Sequence, residues 1–256
     1  MIRFEKIFLL VIITIFLGSC DCNSNNIVDT DDQPLMRLMN SYAIDVDEPS
    51  GLDLALDNMS LWTVSDKHSK MYQLDLTGQI LEEKSIPGTD LEGITLDISG
   101  ETLWVVQESL GEVLPVDTLG NEIQRIIIAG GRDGAGGLEG ITINSINNHL
   151  FLLKEKDPSV LIELDNEFET ILFKRISRAQ DYSGMDYDGI EDELWIVSDQ
   201  EKKVYRYDLS GMALDSYPIN VDKAEGIAYD NSSNLVYIVS DSADSLFVYS
   251  LNENNI

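Results

Sequence analysis

Residues 184–199, GMDYDGIEDELWIVSD, contain the two signatures that decide the fold of this chain. The first signature is a glycine followed by an apolar residue. The second is an apolar run that has an aromatic residue near its start and an acid at its end. Both signatures recur along the chain, so the sequence is interpreted as a series of repeats before any secondary structure is assigned.

The glycine signature occurs five times, with spacings of 42, 47, 44 and 42 residues. Its positions are Gly51-Leu52, Gly93-Ile94, Gly140-Ile141, Gly184-Met185 and Gly226-Ile227. The apolar run follows each glycine by about ten residues, at 61–66, 103–108, 150–155, 194–199 and 236–241. Its second residue is Trp62, Trp104, Phe151, Trp195 or Tyr237, and we interpret these rings as packing between repeats rather than as an exposed platform for sugars.

Each unit continues with a third run, such as 71–75 or 204–208, and a fourth, more polar run, such as 79–86 or 213–219. Short runs rich in β-branched and aromatic residues, separated by Gly, Asn, Asp and Ser, are typical of antiparallel strands. No segment shows helical periodicity of useful length. Four strands in 40 to 45 residues is the period of a propeller blade. The sequence therefore predicts an all-β fold, a β-propeller of five four-stranded blades.

Two defects at the ends of the repeats predict how the ring closes. The fifth unit stops at Leu251, one strand short, while residues 36–45 precede the first unit as an unpartnered strand. If that strand becomes the outer strand of the last blade, the ring is closed and an open edge is covered. The propeller domain is then 35–256, at about 44 residues per blade. Six blades would require a cryptic unit, and no segment is left over to form one.

The start of the chain has the features of an export signal. Arg3 and Lys6 precede the stretch 7–17, which is apolar apart from Thr14 and too short to span a bilayer as a stable helix. It ends in Leu17-Gly18-Ser19-Cys20, which resembles the lipobox of bacterial lipoproteins, where the Cys thiol takes diacylglycerol and the chain becomes fatty-acylated. The alternative is a chance Cys after an ordinary signal peptide.

We therefore predict a signal peptide at 1–19 and, at 20–34, the lipidated Cys20 with a flexible tether rich in Asn and Asp. Once Cys20 is acylated, Cys22 has no partner for an intramolecular disulfide. The expected location is the bacterial cell envelope, on a membrane that holds the lipid anchor, with the propeller facing the periplasm or the exterior.

The charge of the chain restricts its partners. There are 17 Lys and Arg against 46 Asp and Glu, a formal net charge of -29, and removal of 1–19 leaves 15 basic and 45 acidic residues, a net charge of -30. Such a protein repels nucleic acid and anionic lipid surfaces. We expect a monomer whose partner is a cation, a small ligand or an envelope protein, and not nucleic acid.

Acidic residues recur at two positions of the repeat. Just before the repeated glycine stand Ser50, Glu92, Glu139, Ser183 and Glu225, and just after the apolar run stand Asp66, Glu108, Glu155, Asp199 and Asp241. In a propeller the innermost strand starts at the face where the second strand ends, so eight carboxylates are predicted around one axial opening. Their repulsion raises their pKa values unless a cation lies among them.

A hard divalent cation, Ca²⁺ before Mg²⁺, is the simplest compensation for this charge. Glu92, Glu139 and Glu225 are the predicted metal ligands because the innermost strand lines the channel, and the five acids after the apolar runs are predicted to bind a ligand. The alternative is that the repeat copies a structural acid that caps backbone N–H groups of its own loop.

The segment 129–138, AGGRDGAGGL, holds five glycines and the lone Arg132. We predict either a mobile flap whose cation meets an anionic substrate or a plain flexible loop. It lacks the Lys-Ser/Thr of a phosphate loop. Only His68 and His149 occur and G-x-S-x-G is absent, which argues against a Ser/His/Asp triad and against zinc.

Glu48-Pro49-Ser50-Gly51-Leu52, the repeated Glu-Gly-Ile, the segment 136–140 and the recurring Val-Ser-Asp resemble the SdiA-regulated, YjiK-like envelope proteins over about residues 44–251. The resemblance implies an envelope β-propeller related in shape to NHL, YWTD and gluconolactonase-like propellers, and it implies no particular activity.

Two classes of function stay open. One is a non-catalytic, membrane-tethered binding protein. The other is a metal-dependent lactonase or phosphoesterase, or a glycosidase that uses two channel carboxylates. The acids follow the repeat and no acid/base pair stands apart from it, which favours binding.

Overall fold

The computed structural model describes residues 35–252, and all regular secondary structure in that part of the chain is β-strand. It therefore contains no helix long and apolar enough to cross a membrane. The predicted signal peptide, Cys20, Cys22 and the tether lie outside the described residues. In chain order the strands are β1 (Leu35–Ala43), β2 (Pro49–Leu54), β3 (Ser60–Ser65), β4 (Lys70–Asp75), β5 (Ile80–Ser85), β6 (Leu91–Leu96), β7 (Thr102–Gln107), β8 (Glu112–Asp117), β9 (Ile126–Ile127), β10 (Leu138–Ile143), β11 (Leu150–Lys154), β12 (Val160–Leu164), β13 (Thr170–Arg175), β14 (Gly184–Asp188), β15 (Glu193–Ser198), β16 (Lys203–Asp208), β17 (Ala213–Pro218), β18 (Ala224–Asp230), β19 (Leu235–Ser240) and β20 (Ser245–Asn252).

These strands form five four-stranded antiparallel sheets. Four of the sheets are consecutive along the chain, β2 to β5, β6 to β9, β10 to β13 and β14 to β17, and the fifth has the order β1-β20-β19-β18. The innermost strands β2, β6, β10, β14 and β18 each contact the next one around the axis, and β18 contacts β2. The fold is a five-bladed β-propeller, and the predicted fold class and blade number are confirmed.

The predicted closure of the ring is also confirmed. β1 pairs antiparallel with β20 from Leu35 opposite Asn252 to Ala43 opposite Ser245, with a register shift between Leu38 and Asn40. The N-terminal strand therefore completes a blade whose other three strands come from the C-terminal end of the chain.

The second blade departs from the repeat because its outer strand, β9, has only two residues. The third strand of this blade carries Pro115, whose carbonyl accepts the N–H of Ile123 at 2.9 Å. A residue in an antiparallel strand points its N–H and C=O to the same side, so the missing N–H of Pro115 removes a donor that the fourth strand would use. One isolated bridge, between Val116 and Glu122, continues the pairing.

The five repeated glycines explain how the inner strands approach each other. A Cβ atom on Gly93 would lie 2.7 Å from the carbonyl oxygen of Glu139, and one on Gly184 would lie 2.8 Å from that of Glu225. A Cβ atom on Gly226 would lie 2.5 Å from the carbonyl carbon of Gly51, which joins the last inner strand to the first. Four of the five glycines therefore contact the backbone of the following blade at a distance that a side chain would prevent. At Gly140 the nearest atom to an added Cβ is a side-chain carbon of Met185, at 2.9 Å.

The repeated aromatic residues pack between blades. Trp195 of β15 is 1% exposed and stacks on Tyr229 of the next blade, with ring centroids 4.2 Å apart. Trp104 of β7 contacts Phe168, in the connection between β12 and β13, with centroids 5.6 Å apart. The hydrophobic core consists of such clusters between neighbouring sheets, which is why the second strand of each blade is apolar on both faces.

Candidate functional site

An acidic cavity of about 320 Å³ opens at one end of the propeller axis. It is lined where the innermost strands begin and the second strands end. Its ten carboxylates are Glu48, Asp66, Glu92, Glu108, Glu139, Glu155, Asp181, Asp199, Glu225 and Asp241. Two lysines, Lys156 and Lys223, also line it. All eight carboxylates singled out by the repeat positions lie in this one cavity, which we call the axial cavity.

A repeated backbone hydrogen bond brings these acids together. The residue that follows the second strand donates its N–H to the carbonyl three residues before the repeated glycine of the same blade. The pairs are Asp66 to Glu48 at 3.2 Å, Glu108 to Asp90 at 3.0 Å, Glu155 to Gly137 at 3.0 Å and Asp241 to Lys223 at 3.1 Å. The bond ties the end of the second strand to the entry of the first, so both acidic positions face the same opening.

Glu139 is a buried carboxylate of the axial cavity, at 8% exposed; Asp181, at 3% exposed, is more buried but accepts the hydroxyl hydrogen of Ser198 at 2.6 Å. The Glu139 side chain accepts no hydrogen bond and forms no ion pair with any residue in the described part of the chain. Carboxylate oxygens of Glu108, Glu139 and Glu155 lie within 4.8 Å of one another. Burial first, and then the negative charges of Glu92 and the other cavity acids, hold the pKa of Glu139 well above its usual range.

The two neighbours of Glu139 have one partner each. Glu108 Oε1 accepts the backbone N–H of Gly137 at 2.9 Å, and Glu155 Oε1 pairs with Lys156 Nζ. We call Glu108, Glu139 and Glu155 the deep trio. Three carboxylates with one lysine at the edge leave this group of oxygens with excess negative charge.

A second group, the rim trio, consists of Asp66, Asp90 and Glu92, whose oxygens also lie within 4.8 Å of one another. Glu92 accepts the hydroxyl hydrogen of Ser50, and Asp90 Oδ2 accepts the N–H of Ser109 at 2.7 Å. Burial, which outweighs the Ser50 hydrogen bond, raises the pKa of Glu92 well above its usual range, and the charge of Asp66 adds to the effect.

Asp90 is absent from the acids that the sequence singled out, although a signal for it exists. It stands three residues before a repeated glycine, and the equivalent residues of three other blades, Glu48, Asp181 and Lys223, are also charged. These residues also line the axial cavity. A comparison of the repeats at this third position would have found the cluster.

Glu225 lies apart from both trios. Lys223 Nζ is 3.8 Å from Glu225 Oε1 and 3.8 Å from Asp199 Oδ2. Burial raises the pKa of Glu225 to about 7, and Lys223 opposes that rise. The three predicted metal ligands therefore share one cavity but fall into three different groups: Glu139 in the deep trio, Glu92 in the rim trio and Glu225 beside a lysine.

The alternative interpretation is that these acids cap backbone N–H groups, and two of the five acids that follow the second strands do so. Glu108 caps Gly137 and Asp199 Oδ1 accepts the N–H of Lys223 at 2.7 Å, and each capped residue belongs to the loop of the following blade rather than to the acid's own loop. The carboxylates of Asp66, Glu155 and Asp241 accept no backbone N–H in the described residues. Burial raises the pKa of Asp66 and of Asp241, as expected for acids without donors.

Arg132 is exposed and lies outside the axial cavity, in an adjoining cleft of about 270 Å³. This cleft is also lined by Glu108, so the two cavities meet at that side chain. The end of the glycine-rich segment is held in place, because Lys154 Nζ donates to the carbonyl of Ala135 at 2.8 Å and Gly137 bonds to Glu108. Among the described residues, Arg132 has no carboxylate partner.

The fold and the axial cavity define a class, the five-bladed propellers with a polar site at one end of the axis. The chain belongs to the SdiA-regulated family, whose sequence model matches residues 38–252. Glutaminyl cyclase of Myxococcus xanthus has a similar structure, with a TM-score of 0.65, 14% identity, and coverage of 87% of this chain and 99% of that chain. Virginiamycin B lyase of Staphylococcus aureus aligns with a TM-score of 0.51 and 18% identity over 80% of this chain and 66% of that chain. At such identities the two structures share the fold.

Proposed function

We propose that this protein is a lipid-anchored binding protein of the bacterial envelope that holds a divalent cation in its axial cavity and uses it to bind a ligand. The observation that carries the proposal is the deep trio. Glu139 is buried and has no donor among the described residues, and one of its oxygens lies within 4.8 Å of an oxygen of each of two other carboxylates.

The electrostatic argument favours a cation over a purely structural role. Burial of an ionised carboxylate without a donor or a counter-ion is costly, and the group then takes a proton or a cation. Lys156 pairs with Glu155 and neutralises one of the three charges at most. Carboxylates at this spacing are the ligands that Ca²⁺ takes, and the open side of the cavity leaves room for water or a ligand to complete its coordination.

The surroundings of the deep trio indicate the ligand. The cation would present an open coordination position toward the cavity, and the cleft with Arg132 begins at Glu108. A ligand with an oxygen for the cation and an anionic group for the guanidinium would use both cavities. Two enzymes have a similar fold, glutaminyl cyclase and virginiamycin B lyase, and a catalytic alternative is therefore tested below.

The anchoring part of the proposal rests on the sequence of the first 34 residues. The apolar stretch 7–17 and the lipobox-like residues before Cys20 support export and lipidation. A Cys20→Ser variant should leave the membrane fraction in detergent partitioning, and a variant that stays there would contradict lipidation.

Calorimetric titration of Ca²⁺ into the purified protein at constant ionic strength tests the cation site. We expect a defined isotherm that weakens at least tenfold in Glu139→Gln, because the amide keeps the shape of the side chain and removes its charge. The matched control is Glu101→Gln. It removes the charge of an exposed glutamate in the turn between β6 and β7, which does not line the axial cavity. An identical isotherm in both variants would mean that Ca²⁺ only screens the charge of the protein, and the proposal would be wrong.

Hydrolysis is the second candidate, because the deep trio could present a metal-polarised substrate to the remaining carboxylates. A panel of lactones, phosphoesters and glycosides, each assayed with Ca²⁺ and with chelator, separates the two. Turnover that is lost in Glu139→Gln would assign catalysis to the axial cavity.

A further inference from the structure

A second set of polar side chains recurs at another position of the repeat, two residues after the repeated glycine. The residues there are Asp53, Thr95, Thr142, Asp186 and Ala228. Each lies on an innermost strand, three residues further along than the acids of the axial cavity. At the rise of an extended strand this is about 10 Å away along the axis. We call the four polar residues the lower ring.

The two carboxylates of the lower ring are buried and join blades. Asp53 Oδ2 accepts the N–H of Leu96 from the second blade at 2.7 Å, and Asp186 Oδ2 accepts the N–H of Tyr229 from the fifth blade at 2.6 Å. Asp53 is 9% exposed and Asp186 is 7% exposed. Asp186 also accepts the N–H of Tyr187 on Oδ1 at 2.7 Å and a hydrogen bond from the Thr142 hydroxyl. These bonds position the carboxylates and leave further lone pairs on their oxygens, since an ionised carboxylate accepts about four hydrogen bonds.

The lower ring surrounds a cavity of about 250 Å³, which shares no lining residue with the axial cavity. All four of its side chains line this space. Thr95 is 1% exposed and its hydroxyl makes no hydrogen bond with any described residue. The Thr95 hydroxyl therefore lines the cavity with an oxygen that no described residue uses, and that oxygen is available to a ligand or a cation.

The charge of the lower ring is not balanced by basic side chains. Burial holds the pKa of Asp53 well above its usual range, and the negative charge of Asp186 raises it further. Burial also raises the pKa of Asp186 to about 7, with the charge of Asp188 adding to it, while the hydroxyl of Thr142 opposes it. Among residues 35–252, neither Arg nor Lys lines the cavity.

We propose that the lower ring is a second cation site, in which Asp53 and Asp186 supply carboxylate oxygens, and Thr95 and Thr142 supply hydroxyl oxygens, to one hard cation. Two carboxylates and two hydroxyls leave positions for water, as Ca²⁺ accepts with its six to eight oxygen ligands. The site is independent of the axial cavity, and the ion would join four of the five inner strands.

Calorimetric titration with Ca²⁺ alone, read as the number of sites, tests this proposal. The double variant Asp53→Asn, Asp186→Asn removes the charge and keeps an oxygen that can accept the N–H groups of Leu96 and Tyr229, although Asp186→Asn gives up the acceptor of the Tyr187 N–H. We expect it to bind one Ca²⁺ fewer than the parent protein, whereas Asp57→Asn, at an exposed turn, should bind the parent number.

A second variant keeps the test decisive if the double Asn variant does not fold. Thr95→Val, Thr142→Val leaves both carboxylates and all backbone contacts in place, and it should weaken the same site at least tenfold. The Glu139→Gln variant should still bind Ca²⁺ at the lower ring, so loss of binding in the axial cavity and loss of binding at the lower ring are measured separately. Undiminished Ca²⁺ stoichiometry in both lower-ring variants would overturn the proposal. So would a melting temperature of the Asn variant above that of the parent protein when both are saturated with Ca²⁺, because the parent would then gain nothing from an ion in the lower ring.

Discussion

Among single residues, the repeated glycines of the innermost strands determine both the fold and the site. A Cβ atom at Gly93 would lie 2.7 Å from the carbonyl oxygen of Glu139 and 2.8 Å from the N of Ile141. Both neighbours are backbone atoms, which cannot rotate away. The residue that Gly93 contacts, Glu139, also supplies a buried carboxylate of the deep trio, so the geometry of the ring and that of the deep trio depend on the same contact.

We therefore expect Gly93→Ala to destabilise the protein by about 2 kcal/mol, the usual cost of overpacking a close contact. It should also weaken Ca²⁺ binding, since the backbone of Glu139 has to move. Denaturant unfolding measures the first effect and calorimetry the second. Gly189→Ala is the matched control because its nearest atom is the Ser145 hydroxyl oxygen at 2.7 Å, on a side chain that can rotate. Equal stability of the two variants would mean that the inner strands have room to adjust.

At the scale of elements, β1 and β20 are the only described strands that pair across the ends of the chain. β1 is mostly exposed, with Met36 as its buried residue, at 8% exposed, in the cluster that also contains Tyr249 and Leu251. Its contribution is mainly the backbone ladder with β20, which covers an edge that would otherwise be free.

Deletion of 35–43 should lower the free energy of unfolding by several kcal/mol or cause aggregation, because the edge of β20 becomes available to another chain. Thermal melting and light scattering measure the two outcomes. Deletion of nine residues from the predicted tether, 23–31, is the control and should leave the melting temperature unchanged. A β1 deletion that melts like the parent protein would show that the other three strands suffice to complete the blade.

In the whole molecule, two sets of carboxyl groups make stability depend on pH in opposite directions. The pKa values of Asp75, Asp117, Asp208 and Asp230 are lowered, because turn N–H and hydroxyl groups donate to these carboxylates more strongly than burial acts on them. Their stabilisation is present above the unfolded pKa and is lost as the pH falls through the folded pKa, below about 4. Acids of the two cavities with raised pKa values act in the opposite sense, and they include Glu92, Glu139, Glu225, Asp53 and Asp186.

In the presence of chelator, stability should therefore decline as the pH rises from about 5 to 8. A carboxyl whose pKa is higher in the folded protein holds a proton that the unfolded chain has released, so its stabilisation is complete below the unfolded pKa and is lost as the pH rises through the folded one. For Glu225, which moves from 4.5 to about 7, linkage corresponds to roughly 3 kcal/mol. Urea unfolding at several pH values measures the slope, which should be shallower in Glu225→Gln and in saturating Ca²⁺. A stability that rises over this pH range would contradict the prediction.

The sequence by itself determined the number of blades, the four strands of each and the closure by the N-terminal strand, because a repeat of hydrophobic pattern and turn residues specifies one unit many times over. It also placed eight carboxylates at one face, since equivalent positions of a repeat occupy equivalent places around an axis. The short outer strand of the second blade was not foreseen, although Pro115 is visible in the sequence, because the side to which its missing N–H points depends on the register of the strands.

Only the tertiary structure decided which acids lie close together. Glu139 lies beside Glu108 and Glu155, while Glu92 lies beside Asp66 and Asp90. Which acids of different blades become neighbours depends on the path of the connecting loops and on the conformation of each long side chain. Burial raises the pKa values and leaves Glu139 without a donor among residues 35–252, and it is likewise a property of the assembled ring. The repeat period determines a residue's position within its blade, but the distance between charges on different blades is determined only when the blades pack.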